Sequence, residues 1–235
     1  MKKTVYITDP EVLAIAIKEC HEPLIDLKQY PSLAFGPPPE NEWTRDCYTK
    51  LRRSVYLKLL AAESELPHGW RFRLYEGFRS LKVQKMLFDC EYKRVALRHP
   101  NLTKSERFRE TTRLVSPVIN PDGSKNIPAH NTGGAIDIEI IDSNGQVIDM
   151  GMEAKDWGVV KPELCLTSYK NLSKEVKQNR QLLLDLLTSH GFVNYPTEWW
   201  HFSYGDRYWA YHQHKCHAIY GSADALIWEK KPVYQ

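Results

Sequence analysis

Apolar residues recur three and four positions apart in some stretches of this chain and every second position in others, and the two periods predict different elements. Leu51, Val55, Leu59 and Ala62 share a helical face, which predicts a helix over 45–65 that Pro67-His68-Gly69 closes. Asp9-Pro10-Glu11 reads as a helix start running to about Glu19, with an acidic N-cap and proline at the first helical position. Ser80 can cap a third helix in which Val83, Met86, Leu87 and Cys90 share a face. A last helix, Ser173 to His190, presents Val176, Leu183, Leu186 and Leu187 and stops at Gly191. Strands are expected where alternation takes over: Arg71–Tyr75, Ala135–Ile141, Phe192–Tyr195 and Trp199–Tyr204. Ser143-Asn144-Gly145 is a tight turn, so Gln146–Met150 should return on Ala135–Ile141 as a hairpin. The break at Gly36-Pro37-Pro38-Pro39 is too short to separate domains. The order of elements predicts one α+β domain over residues 1–235, a small antiparallel sheet with flanking helices.

Composition narrows the classes. The chain has 235 residues, of which 42% are hydrophobic and 26% charged, which is globular rather than disordered usage. With 32 Lys+Arg against 29 Asp+Glu the net charge is +3, far from the basic excess of a nucleic-acid binder. No apolar run is long enough for a membrane span. Met1-Lys2-Lys3 imitates a secretory n-region, but Asp9, Pro10 and Glu11 interrupt what should follow, so a cytoplasmic location is expected. Cys20, Cys47, Cys90, Cys165 and Cys216 are scattered and odd in number, which predicts reduced, mostly buried thiols.

Chemistry concentrates at two places. His130-Asn131-Thr132-Gly133-Gly134-Ala135-Ile136-Asp137 leaves a proline-rich loop and enters a strand through two glycines, which allow a bend tight enough for His130 and Asp137 to face one point. Glu198-Trp199-Trp200-His201 opens another strand. Two imidazoles and a carboxylate suit Zn²⁺ with a fourth position open. Positions three apart on a regular strand point to opposite faces, so Glu198 meets His201 only across a turn or bulge. Given that bend, Glu198 stands beside a metal-activated water as general base and acid. A rival cluster, His212-Gln213-His214-Lys215-Cys216-His217, has metal-binding residue types but no turn chemistry to organise it and no base beside it. Trp199 and Trp200 are core residues by default, one of which can wall the site.

Taken together, His130-x-x-Gly133-x-Ala135-x-Asp137, Glu198-Trp199-Trp200-His201 and the preceding Gly77-Phe78-Arg79 resemble the vancomycin-resistance-type D-Ala-D-Ala dipeptidases, zinc peptidases of the hedgehog/DD-peptidase fold. The likeness runs through residues 70–205, including Asn101-Leu102-Thr103-Lys104, Asn179-Arg180 and Gly191-Phe192-Val193; residues 1–45 match it weakly and are expected to form an N-terminal helical arm. It implies one Zn²⁺ per chain held by His130, Asp137 and His201, with Glu198 as base and Arg79 stabilising the oxyanion. Glu76 would orient Arg79. Pro128 stands where the family pattern has Ser, and Lys155 where it has the Asp that meets the substrate's free amine, leaving Glu153 or Asp156 to substitute. The implied substrate is a small D-amino-acid dipeptide. The alternatives are a DD- or LD-carboxypeptidase or endopeptidase acting on peptidoglycan stems, or a non-catalytic binding module of the same fold.

Overall fold

The computed structural model describes residues 4–30, 33–37 and 44–228. Its strands are β1 (Leu24–Asp26), β2 (Ala34–Phe35), β3 (Lys50–Arg52), β4 (Arg71–Glu76), β5 (Ala135–Ile141), β6 (Val193–Asn194) and β7 (His201–Ser203). Five of them form one sheet in the order β2-β4-β5-β7-β6, while β1 and β3 pair apart from it. Every pairing is antiparallel except β2 with β4, so the expected antiparallel sheet acquires one parallel edge.

β5 is central, and every one of its residues is buried. Its isoleucines at 136, 138 and 140 enter the main core with Phe72 and Leu74 of β4. That core is closed by two helices, α2 (Arg53–Glu63) and α5 (Lys174–Ser189), through Val55, Leu59, Leu183 and Leu187. Each such side chain stabilises the fold by about 1.5–3 kcal/mol on leaving water. The opposite face of β5 carries Asp137 and Glu139, buried carboxylates that must find partners there. Glu139 accepts from Arg73 at 2.6 and 3.0 Å and from the Ala154 amide at 2.7 Å. Asp137 is left for the site.

Several expected elements come out shorter. The first helix, α1, covers only Pro10–Leu13. Beyond it Ile17 bridges Ala218 and Lys18 N–H donates to the Ala218 carbonyl at 2.9 Å, so extended pairing uses the apolar positions that had suggested a longer helix. The helix expected from residue 45 begins at Arg53, because the carbonyls of Tyr48 and Lys50 accept from Gly77 and Phe78 at 2.6 and 2.9 Å and hold that stretch extended. Residues after the Asp142–Gly145 turn make a single bridge, Ile141 to Val147, rather than a return strand. Met1-Lys2-Lys3, Pro38 and Pro39 lie outside the described residues.

Two helices flank the site side: α3 (Leu81–Arg98) and α4 (Lys104–Thr111). Ser80 caps α3 by accepting from Val83 N–H at 3.3 Å. The buried stripe of α3 is Val83, Leu87, Glu91 and Val95, whereas Met86 and Cys90 are exposed. The carboxylate of Glu91 is tolerated inside because Arg94 and Arg98 pair with it. α4 has no apolar stripe to reveal it in the sequence; its signal is the capping box of Thr103 and Glu106. α6 (Arg207–His212) and α7 (Asp224–Trp228) are the last elements among the described residues. Among the described residues no helix is long and apolar enough to cross a membrane. Of the five free cysteines only Cys165 is buried, and Cys20, Cys90 and Cys216 are exposed, contrary to the expectation of mostly buried thiols.

Candidate metal centre and catalytic cleft

Two strands and the turn that leads into one of them deliver the three ligand-type side chains. His130 sits in a tight turn, Ala129–Thr132, which Gly133 ends at φ +72°, a left-handed conformation that any side chain would strain. Asp137 lies two residues into β5, directly opposite His201 of β7. His130 Nε2 is 3.0 Å from His201 Nδ1 and 3.3 Å from Asp137 Oδ1, and His201 Nδ1 is 3.0 Å from that same oxygen. All three side chains are buried. Among the described residues this is the one set of three ligand-type side chains whose atoms converge within 4.8 Å. The structure brings no such set together in the His212–His217 segment, whose side chains are largely exposed.

The donor set fits a cation. His130 Nδ1 is 2.7 Å from the Gly77 carbonyl, which can only accept, so the proton is on Nδ1 and Nε2 presents a lone pair inward. Asp137 presents another. A proton on His201 Nδ1 satisfies one of these acceptors and leaves the other facing it unpaired.

Glu198 arrives through a turn. Glu198 N–H donates to the Tyr195 carbonyl at 2.9 Å and His201 N–H to the Glu198 carbonyl at 3.1 Å, which is the bend that a Glu-x-x-His pair needs to converge. Glu198 Oε2 then lies 3.7 Å from His201 Nδ1. Burial, reinforced by the Asp137 charge, pushes the Glu198 carboxyl well above the ordinary range. The turn is braced from behind: Trp199 N–H donates to the Cys165 carbonyl at 2.8 Å, and the buried Arg180 guanidinium, 5.3 Å from the Trp199 ring, donates to the carbonyls of Met150, Leu164 and Leu166.

Arg79 reaches the same point from β4. A bulge shifts the register there, so that Leu74 faces Ile138 but Glu76 faces Asp137. Partners across a sheet share a face, and without the extra residue Glu76 would point into the core. Glu76, 1% exposed, grips Arg79 with both carboxylate oxygens, the Nε bond being 2.9 Å. Gln84 Oε1 accepts from Arg79 Nη1 at 3.0 Å, and Gln84 Nε2 donates to the Ser116 carbonyl at 2.7 Å. Arg79 Nη2 stands 3.7 Å from Asp137 Oδ2. The sequence reading missed Gln84, whose only signal was its place one turn into the capped helix.

These groups line one cleft with Tyr75, Trp157, Tyr195 and Trp200. Trp199 is core, 1% exposed, so of the adjacent pair it is Trp200 that walls the cleft. Glu153 and Asp156 do not line it. Glu153 is paired with Arg73 at 3.2 Å and Lys155 at 2.9 Å, and Asp156 lies 3.5 Å from Lys155.

Residues 45–220 match the family model described as D-Ala-D-Ala dipeptidase, peptidase family M15. The chain belongs to that family. It is therefore a peptidase by descent, and three quarters of its length falls inside the match. A D-alanyl-D-alanine dipeptidase of Synechocystis is 27% identical over 87% of this chain and 91% of its own length. The one from Escherichia coli is 33% identical over 67% of this chain and 64% of its own. A vancomycin-resistance D,D-pentapeptidase, VanY, solved with Zn(II), is 16% identical with a TM-score of 0.38, covering 71% of this chain and 81% of that one.

Proposed function

We propose that this chain is a zinc-dependent dipeptidase that hydrolyses free D-Ala-D-Ala to two molecules of D-Ala. The observation that carries the reading is the convergence of His130, Asp137 and His201 with Glu198 and Arg79 in one cleft. His130 Nε2, Asp137 Oδ1 and His201 Nδ1 would hold one Zn²⁺ per chain. When bound, that ion supplies Lewis acidity, polarising the scissile carbonyl and making water a nucleophile near neutral pH.

The chain's own groups do the rest. Glu198 takes a proton from the attacking water and delivers it to the departing amine, and its buried position makes it a ready proton carrier. Arg79, held by Glu76 and Gln84 so that it does not collapse onto Asp137, faces the carbonyl oxygen as it becomes an oxyanion. Trp157, Trp200 and Tyr195 shield these charges from water, which strengthens each interaction.

A second reading stays in play for one reason. Among the described residues the carboxylates lining the cleft are Glu76, Asp137 and Glu198, all already assigned, and Glu153 and Asp156 are paired with cations elsewhere. An ammonium therefore finds no dedicated partner among the described residues, which favours a peptide whose amine is acylated, as in a DD- or LD-carboxypeptidase. A hydrolysis panel separates the two: free D-Ala-D-Ala, free L-Ala-L-Ala, N-acetyl-D-Ala-D-Ala and a stem pentapeptide, compared by kcat/KM. The dipeptidase reading expects free D-Ala-D-Ala to lead; a lead by the acylated or longer peptides gives the site to the carboxypeptidase reading.

A further inference from the structure

The segment before residue 20 lies outside the stretch that matches the family, yet it reaches the cleft. Its residue there is Ile7, which lines the cleft with Ser116, Pro128, Ala129 and Tyr195. Ile7, Pro128 and Ala129 give this end of the cleft a small apolar surface, and the Ser116 and Tyr195 hydroxyls beside it are engaged with Asn126 and the Thr112 carbonyl. The Ile7 backbone N–H also faces the Tyr195 hydroxyl, and Tyr195 belongs to the turn that carries Glu198.

The segment is tied down along its length. Tyr208 donates its hydroxyl to the Val5 carbonyl at 3.2 Å, and Arg207 Nε donates to the Ile15 carbonyl at 2.9 Å. Ala218 N–H donates to the Ala16 carbonyl, and Lys18 N–H to that of Ala218, both at 2.9 Å. Tyr6 N–H bonds the Asp9 carboxylate at 3.0 Å, and Asp9 N–H returns to the Tyr6 carbonyl at 3.0 Å, which fixes the bend just after Ile7. Val5, Ile15 and Ile17 pack with Ile7 on a second apolar cluster around Val12, Tyr195 and Tyr208. A wall held at both ends is not easily pushed aside by a larger ligand.

We infer that Ile7 is a specificity-determining residue: the N-terminal strap closes one end of the cleft and sets the largest peptide admitted. The inference rests on the reading of the cleft as a D-Ala-D-Ala hydrolysing site. It supplies a size limit from shape, in a cleft where the described residues leave no spare carboxylate to select a free amine by charge. Carbon atoms added to or removed from an apolar wall change discrimination by roughly 10–200-fold per methylene.

The test compares kcat/KM for D-Ala-D-Ala, N-acetyl-D-Ala-D-Ala and D-Ala-D-Phe in the zinc-loaded full chain and three variants. Ile7→Ala is expected to raise the ratio of at least one larger peptide to D-Ala-D-Ala by about tenfold or more, and Ile7→Trp to lower both ratios. Ile17→Ala removes apolar packing from the same strap without touching the cleft, and should leave the ratios within about threefold of wild type. Unfolding midpoints and zinc content are measured on each; if Ile7→Ala does not fold, Ile7→Val and Ile7→Trp carry the comparison. Unmoved ratios in folded Ile7 variants overturn the inference alone, as does an equal shift in Ile17→Ala. A wild-type chain that cleaves none of the three peptides overturns the underlying reading instead.

Discussion

The change Glu76→Gln removes one negative charge from the grip on Arg79 while keeping the size of the side chain. In the native site Arg79 has two carboxylates to choose between. Glu76 holds it with both oxygens, and Asp137 Oδ2 waits 3.7 Å from Nη2. At that separation the attraction between Arg79 and Asp137 is about 4 kcal/mol for an effective dielectric of ~20. The pairing with Glu76 prevails because it is closer and two-pronged. A neutral acceptor gives roughly half the strength of a charged one, and the amide introduced by the substitution would turn a donor toward a donor. Arg79 then moves onto Asp137. Two consequences follow together: the guanidinium leaves the oxyanion position, and Asp137 loses some of the charge it offers a metal. Partners of this kind behind a metal ligand are typically worth about 10–100-fold in metal affinity or activity. The expected result is a drop in kcat/KM for D-Ala-D-Ala of that size, about 1.4–2.8 kcal/mol, accompanied by weaker zinc binding. Steady-state kinetics at saturating zinc, zinc titration against a competing chelator and a denaturant midpoint make the assay. A variant that folds normally and keeps both kcat/KM and zinc affinity within about threefold of wild type refutes the competition between Glu76 and Asp137 for Arg79.

Gly77→Ala should damage the same site through the backbone. A Cβ there would stand 2.7 Å from the Lys50 carbonyl oxygen, 2.8 Å from Leu51 Cδ2 and 2.9 Å from the Tyr48 oxygen, so the strand must shift and take the carbonyl that orients His130 with it. A loss of about 1–3 kcal/mol in unfolding free energy with weakened zinc binding is expected; unchanged values would contradict the role given to that carbonyl. Cys165, whose thiol burial pushes up to about 12, stays protonated at every pH at which the protein is handled, so thiol reagents should label it only after unfolding while Cys20, Cys90 and Cys216 react at once. Mass mapping of the labelled sites checks this, and rapid modification of native Cys165 would refute it.

What was legible in the sequence was local chemistry with a strong signature. The Ser80 cap, the apolar stripe of α5, the glycine bend after His130 and the need for a turn between Glu198 and His201 could each be read from spacing and residue type. What escaped was decided by partners far along the chain. Ile15 and Ile17 fit a helix on their own, and only the pairing of Ile17 with Ala218 explains why α1 stops at Leu13. Leu51 fits the helical face of Val55 and Leu59, yet β3 pairs with β1 and its neighbours accept bonds from Gly77 and Phe78. The bulge that turns Glu76 toward Asp137 leaves no mark in an alternating strand. Nor does the strap announce itself: that Ile7 reaches the cleft depends on bonds to residues about two hundred positions away.

The variant Glu198→Gln, measured for bound zinc and for turnover of free D-Ala-D-Ala in the same preparation, tests the central claim most directly. The substitution preserves shape and leaves His130, Asp137 and His201 in place, so about one equivalent of zinc should remain, while loss of the proton carrier lowers kcat by about 10²–10⁴-fold. Near-normal turnover with zinc bound, or zinc retained in full by a His130→Ala, His201→Ala double variant, would contradict the account and place the chemistry elsewhere in the molecule.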